Sequence, residues 1–370
     1  MTIDDLALIF TRGVGSRTIV HLIDTFGSAE AVFAASKEEL IMRAELRPEI
    51  AERIVKQEGF IPAYREVDYC RRHDIRAIAA TDEEYPEALR ATSDRPHVLF
   101  VRGNVGALSQ RLLSMVGTRD MSPSGHDVCN RLVQQLSERV DNLAIVSGLA
   151  YGIDAACHRA ALTYNVNTIA VIASTLPEVT PTAHTALAND IVEHGGAIVS
   201  ELHSQSPQNG ALFIARNRII AGLSLGTVVV ESPVSGGSLA TADIADSYGR
   251  TVMAVPGRIS DSNSFGTNNL IRSGKARLVI TASDIIDDME WQCHTRSSSS
   301  QTTICAPTDE LDPTSRLVYG TIASTTSISL VELLEKTQLS MGELAMVIMS
   351  LEIAGLVRKL PGQRYEVVNT

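Results

Sequence analysis

Four clusters of residues in this chain have the types and spacing to do chemistry. Val116-Gly117-Thr118-Arg119 ends an apolar run and is followed by Ser122-Pro123, a helix-start signal. Ser147-Gly148 ends a second apolar run and leads through Gly152 into a helical stretch carrying Asp154 and His158. Ser235-Gly236-Gly237-Ser238 follows a third run, Val228 to Glu231, and opens another helix. Each junction presents free backbone amides at a helix N-terminus, where donors and dipole together suit a phosphate. Glycine belongs there because a side chain would hold the anion away from the amides. If the three junctions line one crevice they form one anion pocket, and Arg119 adds a bidentate charge.

The fourth cluster is Arg216-Asn217-Arg218, with Phe213 one turn earlier. Successive helical residues are about 100° apart. The two arginines could therefore flank a groove while Asn217 points to the sheet. A solvated, salt-bridged surface run is an equal alternative. Phe213 is placed to stack a base beside a phosphate contact; a core aromatic is the competing reading.

Other combinations carry less. Asp154 and His158 are four apart and could meet as an acid–base pair, but no nucleophile accompanies them, so they read as a helix cap and a hydrogen bond to a loop. His184 and His194 stand ten apart without a carboxylate or cysteine at ligand spacing, so no metal is expected. No GxxxxGK[ST] loop occurs, nor a GxGxxG after the first strand of its unit. No cofactor is expected.

The bulk numbers set limits. At 370 residues and 44% hydrophobic, the chain is a folded protein of two or three domains. Five scattered cysteines, none spaced as CxxC, fit neither a disulfide framework nor a zinc site, and suit a reducing cytoplasm. No signal peptide and no membrane span is expected. The formal charge of −11 repels nucleic acid in bulk, so any polyanion must be held by a local cluster.

The elements that position these clusters follow from periodicity. Residues 1–72 read as small helices around a Gly13-Val14-Gly15 turn, a SAM or helix-hairpin-helix-like domain. From residue 73 to 290, strands near 75–79, 97–101, 112–117, 143–147, 167–173, 196–200, 226–231, 251–255 and 277–280 alternate with helices. That alternation predicts an open, doubly wound parallel sheet with its site at the strand carboxyl ends. The Ser/Thr-rich stretch 291–311 reads as a linker. Residues 312–370 read as three helices and a hairpin, a winged helix; its acidic residues outnumber its basic ones, favouring protein contact over duplex binding.

Taken together and in order, Gly117-Thr118-Arg119, Ser147-Gly148-Leu149-Ala150-x-Gly152-Ile153-Asp154-x-x-x-His158, Ser200-Glu201, Arg216-Asn217-Arg218-Ile219-Ile220-Ala221-Gly222, Ser235 to Thr241 and Pro256-Gly257 resemble the DNA-processing protein DprA (Smf) family. The resemblance implies an extended Rossmann-like domain that binds single-stranded DNA without hydrolysing it. It also implies a homodimer that protects incoming strands in natural transformation and loads the RecA recombinase onto them. By position, Gly117, Thr118, Arg119, Ser147, Gly148, Ser235, Gly236, Gly237 and Ser238 would form the phosphate pocket, extended by Phe213, Arg216, Asn217 and Arg218. One segment, 173–181, departs: Thr175, Pro177 and Thr180 replace the family's glycine, aspartate and tyrosine, so one wall of the pocket is expected to differ. The alternative is a phosphoribohydrolase resembling the LOG family, whose Gly-Gly-x-Gly-Thr loop and catalytic glutamate are only partly matched by Gly236 to Asp243.

Overall fold

A computed structural model describes residues 1–207, 209–291, 312–323, 328–353, 356–360 and 364–367. The chain forms two compact units, Met1–Thr295 and Arg296–Thr370. All but the first residue of the expected linker 291–311 lies outside the described residues.

The first unit opens with helices α1 (Ile3–Phe10), α2 (Ser16–Phe26), α3 (Ala29–Ala34), α4 (Lys37–Ala44), α5 (Pro48–Val55) and α6 (Phe60–Arg72). Their ends carry ordinary stop and start chemistry. Thr2 and Ser36 close capping boxes with Asp5 and Glu39, and Gly27 (φ 92°) ends α2. Leu8, Ile19, Leu22, Val32, Leu40 and Ile54 make the core of this helical layer. The layer does not stand apart: Leu6 and Ala63 share a second core with Phe100, Ile172 and Ile198 of the sheet. A buried Asp5–His97 contact of 2.9 Å ties α1 to the loop before β2.

The sheet contains β1 (Arg76–Ala79), β2 (Val98–Gly103), β3 (Arg111–Val116), β4 (Leu143–Ser147), β5 (Asn167–Val171), β6 (Ala197–Ser200), β7 (Gly226–Val229), β8 (Thr251–Ala254) and β9 (Arg277–Leu278). Its nine strands run in the order β1-β2-β6-β5-β4-β3-β7-β8-β9. Every expected strand is present. The parallel expectation needs one correction: β1–β2 and β2–β6 pair antiparallel, while the other six pairings are parallel. The reason lies between those strands. The β1–β2 link, residues 80–97, carries only the single-turn α7 (Glu87–Arg90), and the β2–β3 link, residues 104–110, only a short 3-10 helix, so neither holds a helix long enough to carry the chain across the sheet to a parallel neighbour.

Helices α8 (Pro123–Ser137), α9 (Ile153–Thr163), α10 (Thr185–Glu193), α11 (Ala211–Leu223), α12 (Gly237–Ser247), α13 (Phe265–Arg272) and α14 (Ala282–Asp288) cover the sheet. The strands alternate as a doubly covered sheet requires. On β3, Leu113 and Met115 face α8, α9 and α14, whereas Leu112 and Val116 face α11 and α12. Ser114, on the second face, donates its hydroxyl to the Ile220 carbonyl at 2.7 Å and so fixes α11 against β3.

The second unit is a winged helix: α15 (Pro313–Ala323), β10 (Ile328–Ser329), α16 (Leu330–Thr337), α17 (Met341–Ile353), β11 (Val357–Leu360) and β12 (Arg364–Val367). Val318, Ile322, Leu333, Leu344, Ile348 and Leu351 form its core. The expected hairpin pairs antiparallel, and β10 adds a third strand that the sequence reading did not include. Among the described residues of the chain, no helix is long and apolar enough to cross a membrane.

Candidate nucleic-acid interface

The chain passes from β3 to β4, β5 and β6 on one side, then α11 carries it back across the sheet to β7 and β8 on the other. The direction of winding therefore reverses between β3 and β7, and a crevice opens at their carboxyl ends. A cleft of about 260 Å³ occupies that crevice. Gly117, Thr118 and Arg119 line it from the end of β3, Ser235 to Ser238 from the loop after β7, and Phe213, Arg216 and Asn217 from α11.

Each wall has a local cause. Gly117 is obligatory because a Cβ there would lie 2.5 Å from Ile153 and 2.9 Å from the Glu231 carbonyl oxygen. Gly152 takes φ +75°, and a Cβ on it would meet the Thr118 carbonyl oxygen at 2.3 Å. The β3 and β4 loops thus interlock, with the Ile153 amide donating to the Thr118 carbonyl at 3.1 Å. Arg119 is exposed, with its guanidinium 5.7 Å from the centre of the half-buried Phe213 ring, a cation–π placement. No ion pair to Arg119 is found among the described residues.

The three glycine junctions are not equivalent, which corrects the expectation of three free helix N-termini. At α8 the place of an anion is already taken. The Glu231 carboxylate accepts the Ser122 amide at 3.0 Å and the Ser122 hydroxyl, while Ser122 caps the helix through the Gly125 amide at 3.0 Å. At α9 the buried Asp154 carboxylate accepts the Ala150 amide at 3.4 Å. Of the three, only α12 begins with glycines exposed at the cleft and, among the described residues, no carboxylate hydrogen-bonded to its first amides.

The Arg-Asn-Arg run is also corrected. Arg216, not Asn217, points to the sheet: it is 7% exposed, and its guanidinium donates to the carbonyls of Gly148, at 2.6 Å, and Val171. Its Nε has no partner among the described residues. Burial, outweighing the neighbouring Asp154 charge, pulls its pKa down to about 10, and the Arg119 charge pulls the same way. Burial likewise raises the Asp154 carboxyl, against the opposing pull of Arg216. Asn217 reaches the Gly237 carbonyl at 3.3 Å and so joins α11 to the α12 loop. Arg218 leaves the cleft and pairs with Glu201.

Three candidate residues therefore stand outside the cleft: Arg218, Ser147 and Gly148. Ser147 is fully buried, with its hydroxyl donating to the Met115 carbonyl at 2.6 Å. Gly148 lies beneath the floor, where a Cβ would come within 2.6 Å of both the Arg216 and Asp154 side chains. The segment 173–181 lines no part of the cleft either: Leu176 and Val179 are buried, and the Tyr69 hydroxyl donates to the Leu176 carbonyl at 2.8 Å. His158 does not meet Asp154. Its Nδ1 lies 2.6 Å from the Thr168 hydroxyl on β5, and its Nε2 has no partner among the described residues. Ile214 and Thr241 line the cleft without having been picked out by sequence; Thr241 was legible as the residue four after Gly237 on one helix face.

A family model described as "DNA recombination-mediator protein A" matches residues 76–290, more than half of the chain. The chain belongs to the DprA family. A second model, "DprA winged helix domain", matches residues 305–363. Protein Smf of Escherichia coli (strain K12) is 36% identical over 288 residues, 77% of this chain and 75% of that protein. The DNA processing protein DprA of Bacillus subtilis is 35% identical over 250 residues, 67% of this chain and 81% of its own length. Among solved structures, DprA of Streptococcus pneumoniae superposes with a TM-score of 0.62 at 30% identity, covering 78% of this chain and 98% of that one. DprA of Helicobacter pylori superposes with a TM-score of 0.52 at 25% identity, covering 60% and 97%. The Helicobacter work describes a single-stranded DNA binding mode of that protein.

Proposed function

We propose that this chain binds single-stranded DNA in the β3–β7 cleft, without hydrolysing it, and passes the strand to RecA recombinase as a cytoplasmic homodimer. The observation that carries the reading is the Arg119–Phe213 pair standing over the open start of α12. A phosphate fits between the Arg119 guanidinium and the α12 amides, and a base fits on the exposed part of the Phe213 ring. That combination is tolerant of sequence, as a protein handling arbitrary strands requires. It also answers the formal charge of −11, because the cations that matter are local. Strand binding falls to residues 73–290. Recombinase hand-off and dimerisation rest on family membership. The winged helix is assigned a protein-contact role because α17 carries no basic residue.

The test is fluorescence anisotropy with a labelled single-stranded oligonucleotide across a salt series, run beside a ribose-release assay on nucleoside monophosphates. Binding with a log–log salt slope of about −0.7 per phosphate contacted is expected. Base release without salt-sensitive binding would instead identify a phosphoribohydrolase. RecA hand-off is read separately, as faster filament assembly on strands coated with single-strand binding protein. No acceleration would remove that part of the proposal.

A further inference from the structure

We propose that the bound strand continues from the cleft over Ile214 into a second groove, where Arg17 of the N-terminal helices takes its next phosphate. This deepens the strand-binding reading above and rests on it. The second groove, of about 470 Å³, lies on the other flank of α11. Ile214 lines both and is 65% exposed, so it forms the ridge between them. Helical geometry explains how one helix serves two grooves: Phe213, Arg216 and Asn217 turn to the cleft, and Ala215 and Arg218 to the other side. The far wall is Tyr248, at the end of α12, with Ser93 and Asp94.

Arg17 is the cation that this geometry leaves unused. It is exposed, makes no ion pair or hydrogen bond among the described residues, and sits in the first turn of α2, which holds no acidic residue. A cation at the positive end of a helix dipole is placed against its own electrostatics, and an incoming phosphate relieves that. Its position is set by a bridge between the helical layer and the sheet. The Ser16 hydroxyl donates to Glu201 Oε1 at 2.9 Å, and the same carboxylate oxygen pairs with Arg218. The start of α2 is thereby pinned beside the end of β6, at the rim of the groove. The groove also holds an acid, Asp94, which accepts the Tyr248 hydroxyl. The phosphate therefore belongs at the Arg17 rim. The Tyr248 ring, Ile214 and the hydroxyls of Ser93 and Ser247 suit a base. The ligand class is single-stranded nucleic acid longer than the cleft alone can hold.

Anisotropy on the full chain with labelled oligothymidylates of about 4 and about 16 nucleotides tests this, lengths that bracket a single-strand site. Arg17→Ala is expected to weaken the longer oligonucleotide by about three- to tenfold and to make its salt slope shallower by about 0.7, while the shorter one is held as before. Arg17→Lys, which keeps the charge, is expected to restore the slope. Thermal melts report whether each variant is folded, and the exposed position of Arg17 predicts that both are. Wild-type affinity and slope for the longer oligonucleotide in Arg17→Ala would overturn the proposal. Arg119→Ala separates the two readings because it should weaken both lengths. If it weakens neither while Arg17→Ala weakens the longer, the cleft assignment fails and the continuous path from cleft to groove is overturned with it, leaving Arg17 as a separate strand contact.

Discussion

Arg119→Ala removes the one exposed cation of the cleft, and the structure allows its effects on folding and binding to be separated. In the free protein the side chain is exposed, and its recorded contact is the cation–π placement over Phe213 at 5.7 Å. Folding therefore loses no more than about 0.5–1 kcal/mol, which for a domain of this size lowers Tm by roughly 1–4 °C. Binding loses a charge-assisted contact to phosphate, about 1.5–3 kcal/mol. That corresponds to a roughly 10- to 150-fold weaker Kd, with a salt slope shallower by about 0.7. Arg119→Lys keeps the charge but loses the planar fork and its fit over the ring, so it should recover the slope and only part of the affinity. The assay is anisotropy at four or more salt concentrations, with a melting curve on each variant. A wild-type Kd and slope in Arg119→Ala would refute the site. A fall in Tm beyond about 10 °C would refute the claim that Arg119 stands free of the fold.

Arg216→Met should behave differently, because Arg216 is built into the fold. Its loss strands the carbonyls of Gly148 and Val171 in a buried place, at about 1–3 kcal/mol each, offset in part by relief of a buried cation. A net destabilisation of about 1–4 kcal/mol in urea unfolding is expected, together with weaker strand binding; an unchanged midpoint with unchanged binding would contradict the buried-anchor reading. Acid sensitivity should begin near neutrality. Burial pushes the pKa of His158 down to about 3 and that of His203 to about 4, from an ordinary 6.5. Below about pH 6.5 the unfolded chain takes up protons that the native state refuses, so stability falls as pH falls, by up to about 1.4 kcal/mol per pH unit for each group, until its folded pKa is reached. Equal urea midpoints at pH 7.5 and 5 would contradict this. His158→Gln should flatten the slope across that interval.

Much of the scaffold was legible in the residues alone. The nine strand positions followed from apolar runs of strand length set among helical stretches, and the winged helix from three helices and a hairpin. These are local properties: side-chain period and turn chemistry are written within a few residues of where they act. The two antiparallel pairings were not legible. They depend on where a β1–β2 link without a long helix and a short 3-10 segment can lead the chain, which is a matter of the whole sheet.

The site divides along the same line. Sequence alone marked the glycine loops at Gly117, Gly236 and Gly237 as lying at the carboxyl ends of a parallel sheet; that they share one cleft, and that segment 173–181 lines no part of it, took the tertiary structure. Which loops remain open to an anion was decided only by tertiary structure. Glu231 reaches Ser122 across 109 positions of sequence and fills the start of α8. Asp154 does the same locally at α9, and α12 is left free. The Arg-Asn-Arg run shows the same dependence. Helical spacing requires that Arg216 and Arg218 point in different directions. Only the passage of α11 across the sheet from β6 to β7 determines that Arg216 becomes a buried anchor and Arg218 turns to the second groove.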